Sequence, residues 1–172
     1  MSVQHVSCET MFPAPIAEAV LQAVDSYFST LSGGKLIDRH NTTQSSSTCV
    51  TGIISFVGDW TWVFNLILPE SIATSIVREF AGFDIPFESA EMGDAIGELV
   101  NVLAGDIVAR LHAMGNKAQM SLPTLMRGQN IEMYLPASTP EIMQGFESKE
   151  GCFWYKLGVA KTGSHLFRKP GT

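Results

Sequence analysis

Glu98 and Asn101 stand three residues apart within GDAIGELVNVLAGDIVARL, residues 93–111, a stretch otherwise built of glycines and short or apolar side chains. On a helix, a carboxylate and a carboxamide at that spacing share one side, about one turn apart. No nucleophile stands beside the pair, and it is not two carboxylates, so it fits neither covalent catalysis nor glycoside hydrolysis. A carboxamide both donates and accepts hydrogen bonds, which suits it to orient a water molecule for in-line attack on a phosphoryl group. The carboxylate can pair with a cation on the phosphorylated partner and set the register. Neither group needs a shifted pKa for this work.

The helix wheel sharpens the point. Counting about 100° per residue from Glu98, the residues Glu91, Asp94, Asn101 and Gly105 fall within roughly 60° of it. Met92, Ile96, Leu99, Val100, Leu103, Ile107 and Leu111 take the opposite side and form the expected core stripe. On periodicity alone, such a polar row is the solvated face of a helix. Two details weigh toward a site. Asn is a poor mid-helix residue because its side chain competes for backbone hydrogen bonds. Gly93, Gly97 and Gly105 each cost about 0.5–1 kcal/mol relative to Ala in a helix interior, a cost usually kept for close approach or packing.

The elements that must carry this row follow from pattern. Residues 14–31 place Ile16, Val20, Val24, Phe28 and Leu31 at helical spacing before Ser-Gly-Gly, so a first helix is predicted there. GGKLIDRH reads as a strand, and NTTQSSST as a polar connection in which Asn41 and Thr43 form a glycosylation sequon that a cytoplasmic chain would not use. CVTGIISFVGDWTWVFNLILP gives two β-rich runs broken at Gly-Asp, the pattern of a hairpin. ESIATSIVREFAG predicts a short helix with Ile72, Ile76 and Phe80 as its stripe, and the long helix should run from Ser89 to about Met114, closed by Gly115 and Asn116. KAQMSLPTLMRGQNIEMYLP, EIMQGFES and GCFWYKLGVAK read as further strands. Helix and strands followed by helix and strands suggests an internal duplication. Tight turns between strands favour an antiparallel sheet with the helices on one face, an α+β fold.

Composition sets the outer bounds. The 172 residues suit one domain, with residues 162–172 as a loose tail. At 45% hydrophobic and 16% charged, the chain is too apolar for disorder and leans toward a buried subunit contact. A net charge of -6 and eleven scattered Lys and Arg argue against nucleic-acid binding. The opening MSVQHVSCETMF lacks the features of a secretory signal, and TWVFNLILP is too short to span a bilayer, so a cytoplasmic protein without a membrane segment is expected. Cys8, Cys49 and Cys152 are odd in number and far apart, consistent with reduced thiols, buried or half-buried. His5, His40, His112 and His165 lack ligand spacing, so no metal site is expected.

Asp94, Glu98 and Asn101, followed by Ser-Leu-Pro-Thr with Pro123, resemble the signature of the CheC, CheX and FliY family of chemotaxis phosphatases. In that family an Asp or Ser precedes a Glu by four residues, an Asn follows three later, and a Pro comes further on. Here 21 residues separate Asn101 from Pro123, about one fewer than the family pattern. The likeness covers most of the chain, from the opening helix to the strand near GCFWYKLGV. It implies a pseudo-duplicated CheC/CheX-like fold and a phosphatase acting on the aspartyl phosphate of a CheY-like response regulator. In that layout Glu98 docks on a lysine of the regulator and Asn101 positions the attacking water. Asp94, with Glu91 and Gly105 on the same face, would support the partner contact, and Pro123 would shape a strand end. The regulator would supply its own Mg²⁺, so no cofactor of this chain is implied. Family members with two active copies carry a second Glu-xx-Asn in the first helix. Here Glu18 is followed three later by Leu21, which implies one site per chain, as in CheX, and CheX-like proteins pair through their sheets as homodimers. The alternative is a non-catalytic binding module for a response regulator or a flagellar switch component.

Overall fold

A computed structural model describes residues 12–32, 37–40, 47–136 and 139–160. The opening segment with His5 and Cys8, the His40 side chain, the Asn41–Thr43 sequon and the tail with His165 lie outside the described residues. The elements are α1 (Ala14–Ser32), β1 (Ile37–His40), β2 (Cys49–Gly58), β3 (Trp62–Pro69), α2 (Glu70–Ala81), α3 (Ala90–Ala113), β4 (Ala118–Met120), β5 (Thr124–Gly128), β6 (Glu141–Ser148) and β7 (Gly151–Val159).

Alternation along the strands builds the core. Phe64, Leu66 and Leu68 of β3 and Phe153, Tyr155 and Leu157 of β7 all point to one face, and the three helices close over it to form one cluster. Phe28 of α1 stacks on Phe153 with ring centroids 4.4 Å apart, and Phe146 stacks on Phe153 at 5.2 Å. This is the α+β arrangement expected, with the helices on one side of an antiparallel sheet.

Among the described residues the sheet runs β1-β6-β7-β3-β2, and β4 and β5 share the far side of β2. Every pairing is antiparallel. The order is its own mirror. Exchanging β2 with β6, β3 with β7 and β1 with the β4–β5 pair returns the same sequence of neighbours, with α1 and α3 changing places. The duplication suspected from element order is therefore real at the level of topology.

The edge strand is broken for a local reason. β5 pairs as Ile53↔Thr124 and β4 as Phe56↔Met120, so Ser121, Leu122 and Pro123 stand opposite only Ile54 and Ser55. One extra residue makes a β-bulge. Ser121 N–H donates to Ser55 O at 2.8 Å, and Ser55 N–H returns a bond to Ser121 Oγ at 3.1 Å. Pro123, which has no N–H to give, occupies the break.

Two details depart from expectation. The strand expected across IEMYLP is absent, although its period-two pattern holds, with Ile131, Met133 and Leu135 half-buried and Glu132, Tyr134 and Pro136 exposed. β5 ends beside β2 while β6 lies beyond β7, so the chain must cross the sheet's outer face, where it meets strand faces rather than an edge to pair with. Lys156 Nζ donates to Met133 O at 3.4 Å, and Leu135 lies over Gly158. In α2 the stripe is Ile72, Ala73, Ile76 and Val77, and Phe80 is 39% exposed. Steps of four overshoot the helical repeat by about 40° each, so a second step carries Phe80 off the core side.

α3 sits unusually close to the sheet. A Cβ on Gly52 of β2 would lie 2.6 Å from Val100 Cγ2, and one on Gly97 of α3 would lie 3.3 Å from Leu125 Cδ1. Val100 is β-branched and stiff at χ1, so it cannot swing aside. Gly52→Ala is therefore expected to lower stability by about 1–3 kcal/mol through overpacking. Urea denaturation measures it, and an unchanged midpoint would mean that α3 has slack over β2.

Candidate functional site

α3 presents two opposite sides. Met92, Ile96, Leu99, Val100, Leu103, Ala104, Ile107 and Leu111 are buried against sheet and helices. Glu91, Asp94 and Glu98 are exposed, while Asn101 and Gly105 are half-buried. The structure thus brings all five of the residues singled out in the sequence onto one surface row. Neither Glu98 nor Asn101 forms a hydrogen bond or ion pair with another described residue. A Cβ on Gly105 would meet nothing within 4 Å, so that position leaves open space rather than serving packing, and the same is true of Gly93.

Both ends of the helix are anchored. At the N-terminus Ser89 Oγ accepts from Met92 N–H at 3.2 Å, a conventional cap. Glu91 is occupied there as well. Its own backbone N–H, and then the Ser89 hydroxyl, hold its carboxyl below the usual carboxylate range. Arg127 of β5 braces the same turn by donating to Phe87 O at 2.7 Å and Ser89 O at 3.1 Å, with Glu88 at 3.3 Å and the Phe87 ring 5.8 Å beneath its guanidinium. A cavity of about 200 Å³ opens here between α3 and β5, and neither Glu98 nor Asn101 lines it. At the C-terminus His112 Nε2 lies 3.1 Å from Ala118 O and 3.3 Å from Ala118 N, joining the helix end to β4.

The flank of the row belongs to α1, which runs antiparallel to α3. Arg110 Nη1 donates to Gln22 Oε1 at 3.2 Å near one end, while Tyr27 stands near Glu98 at the other. Burial, with a smaller contribution from the Glu98 charge, pushes the Tyr27 phenol above its ordinary pKa. Tyr27, Gln22 and Arg110 carry no signal in the sequence that ties them to Glu98 or Asn101, because only the pairing of two distant helices brings them there.

Chemically, the row offers a carboxylate and an amide without hydrogen-bond partners among the described residues, on a helix fixed at both ends. Among the described residues no group of three or more His, Cys, Asp or Glu could hold a metal ion. Cys49 is buried and Cys152 half-buried, both as free thiols. No described helix is long and apolar enough to cross a membrane.

No curated protein matches the sequence. Among solved structures, the chain is similar to a CheC-like superfamily protein from Shewanella sp. PV-4, with a TM-score of 0.75 and 19% identity over 87% of this chain and 99% of that one. It is similar to a chemotaxis protein CheX from Desulfovibrio desulfuricans, with a TM-score of 0.72 and 22% identity over 84% and 99%. A complex of CheX with CheY, BeF3 and Mg²⁺ from Borrelia burgdorferi gives 0.69 and 16% over 85% and 98%. These likenesses establish the fold. The family described as chemotaxis phosphatase CheX matches residues 50–147, which is more than half of the 172 residues and includes all of α3. On that match, the chain belongs to the CheX family of chemotaxis phosphatases.

Proposed function

We propose that this protein hydrolyses the aspartyl phosphate of a CheY-like response regulator, with Glu98 and Asn101 as the working pair. The carrying observation is that both side chains stand on an exposed, well-anchored helix face with no partner within the described chain. A site for a small molecule would be a pocket, whereas this is a convex row, suited to a protein-sized visitor whose own cleft receives the helix. The CheX–CheY complex from Borrelia burgdorferi supports the choice of partner, since a protein of the same fold is held there with CheY.

In this reading the Glu98 carboxylate pairs with a lysine beside the regulator's acyl phosphate and sets the docking register. Asn101 reaches the phosphoryl group and aligns a water molecule for in-line attack. The water oxygen bonds to phosphorus, the phosphorus–oxygen bond to the aspartyl carboxyl breaks, and inorganic phosphate leaves with the regulator's carboxylate regenerated. The metal at the phosphorylation site is the regulator's, and Asp94 supplements the contact. Pairing of two chains through their sheets would give a homodimer with two separate sites, a state that sedimentation measures directly.

The test is a phosphotransfer screen in which the protein is added to each phosphorylated receiver domain in turn and phosphate loss is followed. Accelerated decay of at least one receiver is the expected result, and unchanged decay of all of them would overturn the proposal. Glu98→Gln should raise KM for that receiver about tenfold and change kcat much less, since it removes a docking charge rather than the water-orienting group. Steady-state kinetics at two salt concentrations checks this, because the charge-dependent part of binding weakens with salt in the wild type.

A further inference from the structure

The row that carries Glu98 and Asn101 is too narrow to hold a protein by itself. From Glu91 to Gly105 it runs about 21 Å along α3, on a helix about 10 Å across. That strip covers about 200 Å², whereas a stable protein interface takes about 800 Å² from each partner. A partner seated on the row must therefore rest on its flanks as well.

The edge formed by β4 and β5 lies on one flank, and two contacts fix its position. A Cβ on Gly97 would lie 3.3 Å from Leu125 Cδ1, and His112 Nε2 lies 3.1 Å from Ala118 O. Between these anchors the edge covers seven residues at about 3.3 Å each and the helix fifteen at about 1.5 Å, so both span about 23 Å and run level. Leu122, three residues before Leu125, thus stands level with the turn from Asn101 to Gly105. Gly97 and Asn101 fall on the same side of Glu98 around the helix, so this edge flanks the amide. Leu122 is 85% exposed, yet its backbone is fixed. Ser121 Oγ accepts from Ser55 N–H at 3.1 Å and donates to Leu122 O at 2.8 Å, and Pro123 follows with φ set by its ring. On the other side of Glu98, about 40° around the helix, Val102 is 44% exposed. Neither side chain belongs to the core cluster. Val is also a poorer helix former than Ala, so helix stability does not call for it.

Resting on the phosphatase reading above, we infer that Leu122 and Val102 form an apolar clamp for the receiver domain, with one jaw on each side of Glu98 and Asn101. The surface it fits is an apolar rim around the receiver's phosphorylation cleft. Burying the two side chains excludes water from both flanks of the polar pair, which strengthens the attraction between Glu98 and its cation. The clamp supplies affinity and specificity and takes no part in the chemistry. A receiver with a charged residue where Leu122 lands is therefore a poor substrate even when its phosphorylation site is the same.

The experiment uses the full chain and a receiver domain, phosphorylated with acetyl phosphate, whose decay the wild type accelerates. Leu122→Ser should raise KM about tenfold and leave kcat within about twofold, and affinity for the same receiver trapped with beryllofluoride should fall by a matching factor. The loss should persist at high salt, which separates an apolar contact from the docking charge of Glu98. Leu122→Met, apolar and of similar volume, should keep KM within about twofold of the wild type. Val102→Ala should raise KM about threefold without lowering the melting temperature. Tyr134→Ser, which removes an equally exposed ring from the outer face of the sheet, should change neither quantity. Unaltered KM and affinity in a folded Leu122→Ser variant would overturn the clamp, as would an equal loss in Tyr134→Ser, and the α3 mechanism would stand without it if Asn101→Ala still loses kcat. If Glu98→Gln and Asn101→Ala both keep full activity, the mechanism itself falls, and the clamp with it.

Discussion

Asn101→Ala is expected to slow dephosphorylation of the cognate receiver by at least about tenfold, a barrier increase of roughly 1.4 kcal/mol. The amide is the group in the row that can hold a water by donating and accepting at once, and alanine can do neither. Stability should not confound the measurement. Asn101 is half-buried, makes no hydrogen bond within the described chain, and sits in mid-helix, where alanine is the better residue. The loss should appear in kcat. Affinity for a receiver trapped with beryllofluoride should stay near the wild-type value, because Glu98 sets the docking. Decay of a labelled receiver under saturating enzyme reads the first quantity, and titration of the trapped receiver reads the second. An unchanged kcat in a folded variant would remove Asn101 from the chemistry. A fall in affinity alone would make it a contact residue.

The largest stability effect is expected at Phe153. Its ring is fully buried and lies between two others, with Phe28 at 4.4 Å and Phe146 at 5.2 Å. It is thus the link between α1 and the middle of the sheet. Phe153→Ala should cost about 3–5 kcal/mol, the usual range for truncating a buried aromatic, against a whole-domain stability of about 5–15 kcal/mol. At roughly 2–4 °C per kcal/mol for a domain of this size, the melting temperature should fall by about 6–20 °C. Because α1 flanks the Glu98 row, activity of the variant should be lost at temperatures where the wild type still works. Calorimetry and activity measured over the same temperature range test both statements. A loss below about 1 kcal/mol would mean that Phe28 and Phe146 close over the gap without penalty.

Much of this was legible before any coordinates. The three helices are where apolar spacing and stop signals place them, and Ser89, Gly82 and Gly115 occupy cap positions that their residue types favour. Glu98 and Asn101 could be assigned to one exposed row because their relation depends only on the pitch of one helix. The missing strand at 131–136 shows the limit of the same reasoning. Its residues do alternate between half-buried and exposed, but alternation reports burial and not which neighbour supplies the hydrogen bonds. Phe80 shows it on a smaller scale, since Ile72, Ile76 and Phe80 stand four apart in sequence yet the helix carries the third away from the core.

The sequence by itself determined the elements, the sidedness of α3 and the presence of the family's motif, since all three are encoded in residues close together along the chain. The tertiary structure decided the mirrored strand order, the strap across the outer face, the neighbourhood of Tyr27 and Glu98, and the bridge from Arg110 to Gln22. Those depend on contacts between segments tens of residues apart, and such contacts are selected by the joint fit of whole surfaces, a quantity no local window of sequence contains.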